Sequence, residues 1–429
     1  MGKAVLEKIK GKEMLYFCIV TAILLAIMAF CTGTPLEILM GEITIILSRD
    51  ALITDYFELA GYGATFFNAS VILALGILLI WKEKIPFTGL SVAVLFINVG
   101  FALFGKNPFN VLPIIAGTFI YAKVHHAPMS RYIYTALFGS CLAPMVTEMG
   151  YLLPFPSRIN LLCSIAVGIF VGFVLPPLSM HTASMHMGYN LFNVGFSAGL
   201  LAFVMVSVLQ SFGLKSNAVF IWRAGRPLWL ILVLYGYFLL TALYGLWINQ
   251  GQVKGLLHLM RHPGRAVADF VLMDGAGTTL INMGIVGSIC LTYILFIGGD
   301  LSGPVVGAIL TAFGFAAFGV HAKNYVPVLI GFACSTYINT LLLYDASMQM
   351  GAIFAVGLAP IAGQFGIIPG MIAGALHGAV VVCTSSLYGG LNLYNNGFST
   401  GLVAIVLIPI LESFMQRFEI RRKKKSQEK

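Results

Sequence analysis

Charge is what this sequence is shortest of. Only 10% of its 429 residues are Asp, Glu, Lys or Arg, and 59% are hydrophobic; an average soluble domain carries roughly a quarter charged residues. Between Ile281 and Gln416 the charges are Asp300, Lys323, Asp345 and Glu412 alone. A water-facing surface cannot be assembled from that supply, so lipid must face much of the chain. Paired cysteines are lacking too. Cys18, Cys31, Cys141, Cys163, Cys290, Cys334 and Cys383 sit in or beside apolar segments with no C-x-x-C spacing, which excludes a disulfide framework and leaves small packing residues. There is no Walker loop, dinucleotide fingerprint, nucleophile elbow or H-E-x-x-H motif. Phosphate-driven pumping by this chain alone is thereby argued against, no enzyme activity is expected, and neither a cofactor nor a metal is expected.

The positive charge that is present is concentrated at the ends. Lys3, Lys8, Lys10 and Lys12 open the chain, and Arg417, Arg421, Arg422, Lys423, Lys424 and Lys425 close it, within a net charge of +9. Basic ends flanking apolar segments read as cytoplasmic tails of a multi-pass protein of the bacterial inner membrane, in contact with anionic lipid rather than nucleic acid. The first apolar run, Leu15 to Phe30, lacks a small-x-small cleavage site and has a counterpart mid-chain, so it reads as a retained helix.

A bilayer span needs about 20 apolar residues. Candidates lie at about 14–33, 62–81, 88–104, 109–124, 132–153, 159–178 and 190–213, then 227–248, 276–297, 302–318, 325–343, 350–367, 370–387 and 393–415. Several are too short for a full span, so fourteen is an upper count and some are expected to be re-entrant or half-helices. The organisation expected is a first membrane repeat over 1–213, a basic connector at 214–226, a second repeat over 227–415 and a basic cytoplasmic tail at 416–429.

The repeat itself is visible. A shift of 214 lays residues 55–117 on 269–331 without a gap, matching Asp55 with Asp269, Thr65 with Thr279, Asn68 with Asn282, Gly89 with Gly303, Asn110 with Asn324 and Pro113 with Pro327. Later the shift changes: Leu142-Ala143-Pro144 meets Leu358-Ala359-Pro360, and the run from Gly188 to Leu200 meets that from Gly390 to Leu402. Shared hydrophobicity would match Leu and Val, but not Gly, Pro and Asn in register. The fold class expected is therefore an all-α integral membrane protein of two homologous repeats of about 200 residues.

Charge also bears on orientation. The stretch 34–60 holds Glu37, Glu42, Asp50, Asp55 and Glu58 against Arg49, whereas 248–274 holds Lys254, Arg261 and Arg265 against Asp269 and Asp274. The loop with Lys82, Glu83 and Lys84 and the loop with Lys123, His125, His126 and Arg131 correspond to loops with only Asp300 and only Asp345. Matched loops of different sign face opposite sides, which makes the repeats inverted. Lys215, Arg223 and Arg226 run against that pattern.

Inverted repeats place a solute site at the midplane, where Gly, Pro and Asn permit broken helices. Two duplicated features fit: Gly61-Tyr62-Gly63 leading to Thr65 and Asn68, with Gly275-Ala276-Gly277 leading to Thr279 and Asn282; and the N-x-x-N runs at Asn190 and Asn193 and at Asn392 and Asn395. Asn within lipid is costly unless it is paired or faces a cavity, so these residues are candidates for a pathway lining; capping or helix-to-helix bonding is the alternative. Glu148 is an acid deep in an apolar segment, with Gln364 as its counterpart, and the pair is expected at the periphery of the same cavity. His181 and His186 are five apart, off one helical face, and are weak as zinc ligands; a loop position or a proton-sensitive gate are alternatives. His377 reads as packing between helices.

The Gly-x-Gly openings followed by Phe67-Asn68 and Ile281-Asn282, each heading an apolar helix with a Gly-rich helix further on, resemble the bacterial urea transporter family. Leu393-Tyr394-Asn395-Asn396-Gly397 echoes that family's Tyr-Asn-Gly signature at a different place in the half. The resemblance covers about residues 55–150 and 269–366, and implies a channel-like fold of two inverted halves with half-helices around a central slot. Where that family has glutamine after the second glycine, this chain has Ala64 and Thr278. As a whole the chain looks more like an uncharacterised bacterial membrane family of related design.

Taken together, these features lead us to expect a channel or transporter for a small neutral or polar solute, with membrane lipid and the solute as partners and homo-oligomerisation left open. An ion-coupled secondary transporter, a non-transporting membrane scaffold and an intramembrane enzyme are the rivals. Reporter fusions at Glu83, Lys215 and Lys429 test the topology. A cytoplasmic signal at Lys429 and opposite signals from matched loops are expected; a periplasmic Lys429, or matched loops on one side, overturns inversion.

Overall fold

The computed structural model describes residues 11–50, 52–216, 219–337 and 341–427. Lys3, Lys8 and Lys10 lie outside the described residues. The chain is almost entirely helical. The first series of helices is α1 (Glu13–Thr32), α2 (Pro35–Leu47), α3 (Tyr56–Leu59), α4 (Gly61–Lys82), α5 (Gly89–Phe101), α6 (Pro108–Val124), α7 (Ile133–Gly139), α8 (Ala143–Leu152), α9 (Ser157–Met185) and α10 (Asn193–Ser211). The second is α11 (Leu228–Ile248), α12 (Lys254–Leu259), α13 (Phe270–Asp274), α14 (Ala276–Phe296), α15 (Gly303–Phe315), α16 (Ala322–Cys334), α17 (Ala346–Phe354), α18 (Ala359–Phe365), α19 (Ile367–Thr384) and α20 (Asn395–Gln427). Each helix of the first series has its counterpart ten helices later. Two three-residue strands, β1 (Leu52–Thr54) and β2 (Val219–Ile221), pair in parallel and fasten the connector to the first repeat.

Among the described residues nine helices are long and apolar enough to cross a membrane, with shorter apolar helices at Gly89–Phe101, Pro108–Val124 and Gly303–Phe315. The chain is a multi-pass membrane protein made of two repeats. The expected turns at the first duplicated motif are present: Gly61 and Gly275 have φ of 80° and 85° and lead into α4 and α14, a conformation open to glycine at little cost.

The centre is built on α5 and α15. Each has 13 residues, about 20 Å at 1.5 Å per residue, too short for a hydrocarbon layer of about 30 Å. In α15 every residue is buried, and in α5 every residue but Leu90. They pack on each other antiparallel: Gly89 lies against Ala317, Gly100 against Gly307, and Gly303 against Leu103. A Cβ on Gly100 would come within 2.4 Å of the Gly307 carbonyl oxygen, and one on Gly307 within 2.3 Å of the Gly100 oxygen. Only glycine permits that approach.

The starts of these two helices are capped across the repeat boundary. Asp269 accepts from the backbone N–H groups of Gly89 (2.8 Å) and Leu90 (3.1 Å), as well as from Val271 and Leu272 of its own short helix. Asp55 accepts from Gly303 N–H (3.0 Å) and from its own Phe57 and the connector residue Arg223. The exchange is reciprocal, as a pseudo-twofold axis between the repeats requires. Each aspartate satisfies helix-start donors that would otherwise be buried unpaired. Asp55→Ala and Asp269→Ala should each lower stability by about 1–3 kcal/mol, read as a fall in melting temperature of the detergent-solubilised protein. Unchanged melting temperatures would show that these caps contribute nothing.

Candidate functional site: two repeat-related cavities

The two N-x-x-N runs form equivalent turns. Asn190 Oδ1 accepts from Phe192 N–H and Asn392 Oδ1 from Tyr394 N–H, both at 3.0 Å, the local bond by which Asn nucleates a turn. Asn190 also accepts from Thr400 Oγ1 at 3.0 Å and donates to the Gly397 carbonyl, so one repeat's turn is held by the other repeat's helix. The second Asn of each run ties the start of one helix to the end of the preceding one. Asn193 Nδ2 donates to the Ser179 carbonyl and Asn395 Nδ2 to the Val381 carbonyl. Asn193 Oδ1 accepts from Thr182 Oγ1 (2.9 Å) and meets His186 Nε2 at 2.9 Å. Asn395 Oδ1 accepts from the Tyr388 hydroxyl. Tyr388 takes the place of His186 at a shift of 202.

These turns wall two cavities, of about 440 Å³ beside Asn190, Asn193 and His186, and about 370 Å³ beside Asn392, Asn395 and Tyr388. Val267 and Phe318 close the first from the opposite repeat, and their counterparts Ile53 and Phe104 close the second. Both cavities are thus built at the junction of the repeats. Their walls are mostly apolar, yet His186 Nδ1 and Asn392 Nδ2 are buried without a hydrogen bond. Such atoms are costly unless something else pairs with them.

An aromatic cluster lines the larger cavity and reaches the smaller one through Phe104. Phe192 and Tyr394, repeat counterparts, have ring centroids 4.8 Å apart. Around them Phe192 meets Phe315 at 4.8 Å, Tyr394 meets Phe101 at 5.4 Å, Phe138 meets Phe315 at 6.1 Å and Phe354 meets Phe101 at 6.0 Å. Phe138, Phe192 and Tyr394 touch the larger cavity; Phe104, stacked edge-on against Phe101 at 5.4 Å, touches the smaller.

The expected single cavity lined by Thr65, Asn68, Asn193, Thr279, Asn282 and Asn395 is not what forms. Asn190 and Asn193 wall one cavity, Asn392 and Asn395 the other, and the remaining four wall neither. Thr65 and Thr279 donate to the carbonyls of Gly61 and Gly275, where their own helices begin. Asn68 Nδ2 donates to the carbonyls of Ala102 and Lys106, both at 2.7 Å, and Asn282 Nδ2 to those of Ala316 (2.8 Å) and Val320 (2.7 Å). The reason is the early end of α5 and α15: the carbonyls of the capping residue and of the turn that follows each helix lie inside the protein and need donors. Glu148 and Gln364 do not share a setting either. Glu148 is fully buried and paired with Arg49, with Ser216 Oγ donating at 2.8 Å, whereas Gln364 is exposed. His181 is exposed on α9, and His377 is buried between helices, with Ser399 Oγ 3.2 Å from its Nδ1.

Sequence reasoning missed two ionisable groups. Lys106 is fully buried; its ammonium donates to Asn98 Oδ1 and Ser140 Oγ, both at 2.8 Å, and lies 5.1 Å from the Phe101 ring centre. Its isolation between Lys84 and Lys123 in an otherwise uncharged stretch was the available signal. Asp50, in the loop before β1, accepts from the Tyr56 hydroxyl (2.8 Å), Thr147 Oγ1 (3.0 Å) and Asn110 Nδ2 (3.3 Å). Burial pushes its carboxyl up to about 7, against the lowering effect of those bonds. The second repeat has Val320 and Gly264 at these positions.

A family model described as "Protein of unknown function (DUF1576)" matches residues 34–211 and 248–413, one stretch in each repeat. The chain belongs to the DUF1576 family. No curated protein and no solved structure matches it. None of these comparisons shows a resemblance to the urea transporter family. Asn68→Leu and Asn282→Leu should each strand two buried carbonyls and cost about 1–3 kcal/mol or more, seen as lower yield and melting temperature of the membrane-extracted protein. Normal stability in both would return these residues to the pathway.

Proposed function

We propose that this chain passes a small neutral or polar solute across the bacterial inner membrane, with the two cavities as vestibules open to opposite sides and the Phe192–Tyr394 cluster as the barrier between them. The observation that carries the reading is the duplication itself: a polar-edged cavity occurs at each of two repeat-related positions, walled from both repeats. A scaffold has no need of paired cavities, and among the described residues the cavity walls hold no acid–base or metal set that would suit an intramembrane enzyme. The antiparallel crossing of α5 and α15 supports inverted repeats, since an axis perpendicular to those helices lies in the membrane plane when they run along its normal. Both termini then face the cytoplasm, in keeping with their basic residues.

A second reading, coupling to protons, is favoured by Lys106 and Asp50, buried ionisable groups whose counterparts in the second repeat are Val320 and Gly264. Buried ionisable groups within membrane proteins are candidate proton carriers.

An uptake or swelling screen of small solutes on proteoliposomes tests the proposal. Phe192→Ala and Tyr394→Ala should raise permeability to the transported solute about tenfold, which corresponds to about 1.4 kcal/mol of barrier. Equal permeability of wild type, both variants and empty liposomes to every solute tried would refute it. If transport is proton-coupled, a pH gradient should drive accumulation, and Lys106→Met or Asp50→Asn should abolish the accumulation while leaving downhill flux.

A further inference from the structure

Outside the cavities, His258 on α12, His262 in the segment that follows it and Asp274 on α13 come together as a cluster. His258 and His262 are four residues apart, one helical turn, with ring centroids 5.0 Å from each other. Asp274, at the end of α13, faces both. Its Oδ1 lies 2.6 Å from His258 Nδ1, and its Oδ2 lies 3.1 Å from His262 Nε2. The three ligand atoms fall within 4.8 Å of one another.

Several features distinguish this group from an ordinary surface ion pair. The Asp274 side chain is only 2% exposed, yet among the described residues it receives a hydrogen bond from His258 alone. His262 Nε2 and Asp274 Oδ2 are both buried and, although 3.1 Å apart, neither makes a hydrogen bond. The His262 ring is held against Phe270, 6.0 Å between centroids, so its orientation is fixed by packing. Burying a carboxylate without Arg, Lys or backbone donors is costly unless protonated imidazoles or a bound cation offset it. Two imidazoles and one carboxylate suit zinc and its first-row neighbours, whereas magnesium and calcium prefer all-oxygen sets. Three protein ligands leave a position for water, as in exchangeable rather than closed structural sites.

The position gives such a site a consequence. The loop between His262 and Asp274 walls the larger cavity through Ala266 and Val267, and Ala266 N–H donates to the Gly188 carbonyl at 3.0 Å. A cation held at both ends of this loop closes it into a ring. The first repeat has Thr44, Ser48 and Ala60 at the equivalent positions, so the device belongs to one cavity only.

We propose that His258, His262 and Asp274 form a zinc-class divalent-cation site that staples the loop walling the larger cavity. Metal binding here does not depend on the transport reading and can be tested without a solute. Zinc chloride would be titrated into the full-length chain, purified in detergent with a tag free of histidine, against a chromogenic competitor. One zinc per chain is expected, with millimolar magnesium failing to displace it. His258 is 64% exposed, so His258→Ala should keep the fold, and it should weaken zinc at least tenfold. Zinc should raise the melting temperature of the wild type but not of His258→Ala. It should also slow tryptic cleavage after the exposed Arg261 and Arg265 in the wild type only. Absence of stoichiometric zinc, or unchanged affinity in both His258→Ala and His262→Ala, overturns the site. Zinc binding with unchanged cleavage at Arg265 overturns the staple.

Discussion

Two 13-residue helices end inside the protein, and the rest of the architecture answers that fact. A helix stub leaves unpaired N–H groups at its start and unpaired carbonyls at its end. In a low-dielectric interior neither set can be left to water. Here the starts of α5 and α15 are satisfied by the opposite repeat, through Asp269 and Asp55, and the ends by their own repeat, through Asn68 and Asn282. Neither repeat can complete its central helix alone. The caps, together with the Gly100–Gly307 contact, interlock the halves about one axis and so fix where the junction cavities form.

On this symmetric frame the chemistry is unequal. Lys106, Asp50 and Glu148 are ionisable groups buried in the first repeat, where the second has Val320, Gly264 and Gln364. The second repeat instead carries His258, His262 and Asp274 beside the loop that walls the larger cavity. At the cavities themselves His186 is matched by Tyr388 and Phe192 by Tyr394. Duplication kept the backbone turns and helix ends, which every copy needs. It left free the side chains that distinguish one repeat from the other.

Much of this organisation was legible in the sequence. Scarcity of charge implied lipid, because no soluble surface could be made from it. The register of Gly, Asn and Asp between the halves exposed the repeat, because residues that allow turns and caps cannot be exchanged as freely as Leu and Val. Gly61 and Gly275 were readable as turns since positive φ is a local property. The sorting of polar residues was not readable. Asn68 and Asn193 are alike as letters, yet one spends its amide on carbonyls 34 and 38 residues away while the other walls a cavity.

The sequence alone therefore determined the solvent, the repeat and the positions of the turns, each of which follows from composition or from conformational freedom at single residues. Only the tertiary structure decided which polar groups complete the backbone and which are left to face a cavity. The deciding partners are far away along the chain, 180 residues for Asp269 with Gly89 and 248 for Asp55 with Gly303. A buried donor or acceptor takes its meaning from whatever folding brings within about 3 Å of it.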